Sequence, residues 1–156
     1  MRRFFINVHF WLSIPAGIII SIVCLTGAIL SFSDEILEII YPERYFVEVP
    51  EGMKPLPLKE LVDKANEQLA ENSVASIRFE PDPARTYTLG LKEGFRVSAF
   101  INPYTGELTG IYHYQQSFFY KMMALHRWLM DGSRTVGKAT VGISTAVFIF
   151  ILIRAC

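Results

Sequence analysis

The chain has 156 residues, of which 51% are hydrophobic and only 19% charged, with two cysteines and a formal charge of zero. That balance is too apolar for an ordinary soluble domain and points to a membrane protein. It excludes a disulfide framework or a cysteine metal site, and no clustered basic face offers itself to nucleic acid.

The charges are unevenly spread. All 15 acidic residues lie between Asp34 and Asp131 with 10 of the 15 basic ones, so the middle of the chain carries −5 and the flanks +5. From Phe4 to Ser33 there are 30 residues without a charge, where a membrane-spanning helix needs about 20. Arg2 and Arg3 precede this run, and Asp34, Glu35 and Glu38 follow it. By the positive-inside rule the N-terminus stays in the cytoplasm and residue 34 onward lies outside. A cleaved signal peptide would have an apolar core of about 7–15 residues and a small-residue cleavage site. "ILSFSDEILEII" offers no such site, so residues 1–33 read as an uncleaved transmembrane helix. Ser13, Gly17 and Ser21 recur four apart within it, a thin stripe that predicts a helix partner. Cys24 reads as a buried small hydrophobe.

Residues 34–114 read as an extracytoplasmic α+β domain. A helical extension runs through Ile40. Residues 58–71, "LKELVDKANEQLAE", place Leu58, Leu61, Val62, Ala65 and Leu69 at helical spacing with charges opposite. Three or four antiparallel strands follow, in "SVASIRFEPD", "RTYTLGLKEG" and "FRVSAFINPYTGELTGIYHY". "NPYTGEL" is a turn between two of them, opened by Asn-Pro and eased by Gly106. Residues 115–134 predict an interfacial amphipathic helix, broken at "DGSR". Residues 135–156 predict a second transmembrane helix. Its uncharged core, Ala139 to Ile153, is only 15 residues, and a start at Val136 brings it to a minimal span with Lys138 snorkelling at the outer interface.

Taken in order, these pieces resemble the PepSY-associated transmembrane family, the iron-regulated membrane proteins of bacteria. The residues that carry the resemblance are "NVHFWLSIPAGIIISIVCLTGAILSF", "INPYTGELTG" and "LHRWLM". The unit between the spans looks like a PepSY domain. The better understood members resemble ferric-siderophore reductases: they carry b-type haem between transmembrane helices and pass electrons across the inner membrane. Such members have about four transmembrane helices and more than twice this length, so the resemblance implies the N-terminal portion of such a protein. The ending "ILIRAC" departs from the family pattern and predicts a truncated chain, inactive on its own.

The resemblance assigns cofactor roles to His9 and His126, as ligands of haem iron. A helix rises about 1.5 Å per residue, and His9 falls near the cytoplasmic end of the first span while His126 precedes the second. About 25–30 Å then separates them, and they cannot share one iron. The picture implied is two haems, one near each face, each also taking a histidine from a helix outside this chain. The plain reading of both is an interfacial histidine with its polar tip among headgroups. Arg127 faces lipid phosphate or pairs with a haem propionate. His113 reads as a strand-end histidine, and Met122 and Met123 as core filler. Glu80 and Asp82 have no partners at metal-binding spacing. Two functions stay open: reduction of ferric iron or a ferric chelate on the outer side, or a membrane-anchored PepSY regulatory module, since such domains resemble protease-inhibiting propeptides. The expected partners are the lipid bilayer, further transmembrane helices from elsewhere in the chain or a second copy, and a ferric chelate.

Overall fold

The computed structural model describes residues 2–69, 73–94 and 96–155. Within these the chain forms two compact units, residues 34–117 and the segments flanking them. Glu71, the expected end of the amphipathic helix, Phe95 and Cys156 lie outside the described residues.

The flanking unit is helical. α1 spans Arg2–Ser31, α5 spans Phe118–Trp128 and α6 spans Thr135–Ala155, and all three pack against one another. The apolar spans are Ile6–Ser31, 26 residues, and Thr135–Ile153, 19 residues. At 1.5 Å per residue even the shorter covers about 29 Å, the thickness of a bilayer core. The 15-residue apolar core is therefore extended at its N-terminal end, starting one residue before Val136. Trp11, Leu25, Val136 and Ile153 are 72%, 65%, 69% and 71% exposed. Apolar surface of this extent suits lipid, not water.

Five hydroxyls on the spans find acceptors within their own helix, as suits a hydrocarbon environment. Ser13, Ser21 and Ser31 each donate to the carbonyl four residues back, at 2.6, 2.8 and 3.0 Å. Thr140 and Thr145 do the same on α6, both at 2.8 Å. The small-residue stripe is not the packed face of α1. Ala16 and Thr26 are buried, whereas Ser21 is exposed and a Cβ on Gly17 would meet nothing. Cys24 is likewise exposed, not buried, because it falls on the side of α1 turned away from α5 and α6.

The corner between α5 and α6 is tight. The chain leaves α5 through Leu129 and Met130, both left-handed at φ 51° and 58°. Met130 N–H donates to Ala124 O at 3.1 Å, and Asp131 N–H to Trp128 O at 2.9 Å. Asp131 then caps α6, its carboxylate accepting from Gly137 N–H at 3.1 Å and from the Ser133 hydroxyl at 2.8 Å. The Gly137 amide first, and then Ser133, hold the Asp131 carboxyl below the usual carboxylate range. A depressed folded pKa contributes stability that is full above the unfolded pKa and is lost as pH falls through the folded one. Acidification below the ordinary carboxylate range is therefore expected to loosen this corner, and Asp131→Asn to remove that acid dependence. Proteolysis between α5 and α6 as a function of pH reads it directly.

Residues 34–117 form an α+β unit with its own core. α2 (Ser33–Ile40) and a short α3 (Pro42–Tyr45) precede α4 (Leu58–Gln68). The strands β1 (Val74–Arg78), β2 (Tyr87–Leu91), β3 (Val97–Ile101) and β4 (Leu108–His113) form one antiparallel sheet in sequence order. Leu61, Ala65 and Leu69 from the α4 segment meet Leu89, Leu91, Val97, Ala99 and Ile101. These strand positions are all odd-numbered, as the two-residue period of a strand dictates. A bulge between Val74 and Ser76 turns both Val74 and Ile77 to the same core.

The β3–β4 turn is built by Asn102, whose side-chain oxygen accepts from the amides of Tyr104 and Thr105 at 2.9 and 3.3 Å. Gly106 follows at φ 75°, the left-handed geometry glycine adopts without strain. Tyr104, buried, donates to Pro83 O at 2.9 Å. Arg44 is held among rings, with its guanidinium carbon 4.6 Å from the Tyr41 ring centre and 5.7 Å from that of Tyr112.

Candidate functional site

In the helical unit the His126 side chain is held by a helix other than its own. His126 sits in the last turn of α5. Its Nδ1 lies 2.9 Å from the carbonyl oxygen of Val23 on α1 and 3.3 Å from the Thr26 hydroxyl. The carbonyl can only accept, so Nδ1 carries the proton and donates. The Thr26 hydroxyl donates its own hydrogen to Ile22 O at 2.7 Å. A carbonyl oxygen has two lone pairs, so Val23 can serve the helix and the imidazole together.

Gly27 makes this contact sterically available. A Cβ there would stand 3.0 Å from His126 Cε1 and 3.3 Å from Nδ1. Thr26 and Gly27 thus do different things for one ring: Thr26 places an oxygen beside it and Gly27 leaves room for it. With Nδ1 committed, Nε2 is the unprotonated nitrogen, the one that can bind a metal. Val23 to Gly27 lie four to eight residues from the C-terminal end of α1, about 6–12 Å along the axis.

His9 is not brought to this place. It lies on the exposed surface of α1, 17 residues before Thr26, about 25 Å along the helix. Its imidazole makes no hydrogen bond among the described residues. Arg127 is exposed, with its guanidinium carbon 5.8 Å from the centre of the Trp128 ring. Arg134 approaches the same ring at 4.8 Å. His113 is exposed at the end of β4. Met122 and Met123 are half-buried on α5.

His126, its ring oriented by a backbone carbonyl with Nε2 unprotonated, is the residue that would hold a haem iron if one were bound. The residues present do not complete a metal site by themselves. Among the described residues no three His, Cys, Asp or Glu side chains converge to hold an ion. The Val23 carbonyl was missed in sequence because a backbone acceptor carries no residue signature. The Thr26-Gly27 pair was the trace of it.

Two apolar helices, a third helix packed on them and an antiparallel-sheet domain inserted between them define a membrane protein with an α+β domain. The chain matches the PepSY-associated TM region family over residues 6–155 and belongs to that family. No curated protein matches it significantly.

Proposed function

We propose that this chain contributes to a haem-carrying electron-transfer protein of the bacterial inner membrane, which reduces ferric iron or a ferric chelate on the outer side. The observation that carries the reading is the bond from His126 Nδ1–H to Val23 O, which leaves Nε2 free on a fixed ring. Bound haem supplies a one-electron ferric/ferrous couple. The chain's own part is to hold the imidazole: Val23 O selects its tautomer, Gly27 admits it, and Arg127 supplies a positive charge one residue away. The second imidazole comes from another helix or a second copy, because no other histidine of the helical unit reaches His126.

The reading places the N-terminus in the cytoplasm, by Arg2 and Arg3 before the first span, and residues 34–134 outside. His126, near the C-terminal end of α1, then serves the outer face. His9 serves the inner face in the same scheme, as a ligand whose surroundings come from outside this chain.

Vesicles carrying the protein, with dithionite trapped inside and ferric nitrilotriacetate outside, test this reading. Ferrous iron is expected to form outside only when the protein is loaded with haem. Formation no faster than in protein-free vesicles would count against it. The alternative, a tethered regulatory module, draws support from the self-contained core of residues 34–117. It predicts that the haem-free protein inhibits an envelope protease, readable as slowed casein cleavage.

A further inference from the structure

The sheet has two unlike faces. One packs on α4. The other carries the even-numbered positions of the strands, where hydroxyls and an arginine sit beside the aromatic rings of Phe100 and Tyr112. Arg78, Thr88 and Phe100 pair across β1, β2 and β3, and Ser98 pairs with Tyr112. A cavity of about 290 Å³ opens over this face, closed on another side by α2. That volume is close to the lower end for small-molecule sites, about 300 Å³.

Its lining combines three features. One wall is apolar and aromatic: Leu37, Tyr45, Phe100 and the Tyr112 ring. The floor bears the hydroxyls of Thr88 and Ser98, which make no hydrogen bond among the described residues. The rim holds charges of both signs: Asp34, Glu38 and Glu80 against Arg78 and Arg85.

The two ion pairs differ in kind. Arg85 and Glu38 meet at 2.5 Å with 28% and 24% of their side chains exposed, and this hydrogen bond raises the Arg85 pKa further. That pair is built into the wall. Arg78 meets Glu80 at 3.6 Å while 75% exposed, the kind of solvent-screened pair that contributes little. Arg78 is therefore free to exchange Glu80 for a ligand. Asp34 is exposed and makes no ion pair among the described residues.

We infer that this pocket binds a small zwitterion of amino-acid size. Its carboxylate goes to Arg78, its ammonium to Asp34 and the released Glu80, and its side chain to the Tyr45–Phe100–Tyr112 wall. Thr88 and Ser98 take the remaining hydrogen bonds. Three carboxylates against two guanidiniums disfavour a polyanion, the same region offers no three-ligand metal cluster, and a wholly apolar ligand would strand the hydroxyls and rim charges. The inference is independent of haem.

The test is calorimetric titration of the full chain in detergent with the twenty L-amino acids singly. At least one is expected to bind saturably. Its analogues lacking the amino or the carboxyl group are expected to bind at least about tenfold more weakly, as loss of a charge-assisted hydrogen bond implies. Arg78→Glu should weaken binding of the amino acid by a similar factor, and Lys59→Glu, on α4, should not. No saturable heat with any amino acid overturns the inference. So does equal affinity for an analogue, or equal loss in the Arg78 and Lys59 variants.

Discussion

Gly137→Ala is expected to be the most damaging single-methyl change in the molecule. A Cβ at this position would stand 1.8 Å from the Trp128 carbonyl oxygen and 2.6 Å from its carbon. Both obstacles are backbone, so no rotamer change relieves the overlap. α6 must move away from the end of α5, and the bond from Gly137 N–H to Asp131 breaks with it. Overpacking of this kind costs about 1–3 kcal/mol or more, and the bond that caps α6 is lost with it. Thermal unfolding in detergent should fall by several degrees at the least. Gly142→Ala, on the same helix with nothing within 4 Å of the added carbon, is the control and should leave the midpoint where it is. Equal behaviour of the two variants would contradict the tight corner.

Gly27→Val is expected to unseat His126 without removing it. Alanine already presses the ring at 3.0 and 3.3 Å, and a branched side chain leaves the imidazole nowhere to lie. The bond from Nδ1 to Val23 O should be lost, at a cost of about 1–3 kcal/mol in a setting where no water replaces it. The imidazole resonances then report two tautomers in place of one, and haem occupancy falls with His126 still present. The substitution changes no backbone donor or acceptor of α1, which runs unbroken over Arg2–Ser31, so α-helix content should stay constant. Retention of a single Nδ1–H tautomer in Gly27→Val would show that Gly27 does not set the ring.

Much of the architecture is legible in the chain, for physical reasons that vary by element. The first span is a long run without charge, which few other structures tolerate. The helix over Leu58–Gln68 shows the 3.6-residue spacing of Leu61, Ala65 and Leu69. The β3–β4 turn is written in Asn102 and Gly106, because their backbone geometry needs those residue types. Other features depend on contacts that local pattern does not encode. The second span looked short because the charge of Lys138 cuts its uncharged run to Ala139–Ile153, whereas the helix, capped by Asp131, starts at Thr135. Within the described residues α1 is buried at Ala16 and Thr26 rather than along Ser13, Gly17 and Ser21, because local spacing does not encode which face meets α5 and α6.

The site divides the same way. His126 stands out as an ionisable residue among methionines and aromatics. Its acceptor on Val23 is 103 positions away and is a carbonyl group that every residue possesses. The second face of the sheet was hidden for another reason. Thr88, Ser98 and Arg78 look like solvent-facing strand positions, and only the cover of α2 turns that face into a pocket.

The central claim is that His126 holds haem, and the most direct measurement is the absorption spectrum of the protein purified from haem-replete membranes, beside His126→Ala. The account predicts a Soret band with the sharp reduced bands of two-imidazole coordination in the parent protein. It predicts their loss or conversion in His126→Ala, with the helix content of both unchanged. A parent protein without a Soret band, or a His126→Ala variant with the parent's spectrum, would contradict it.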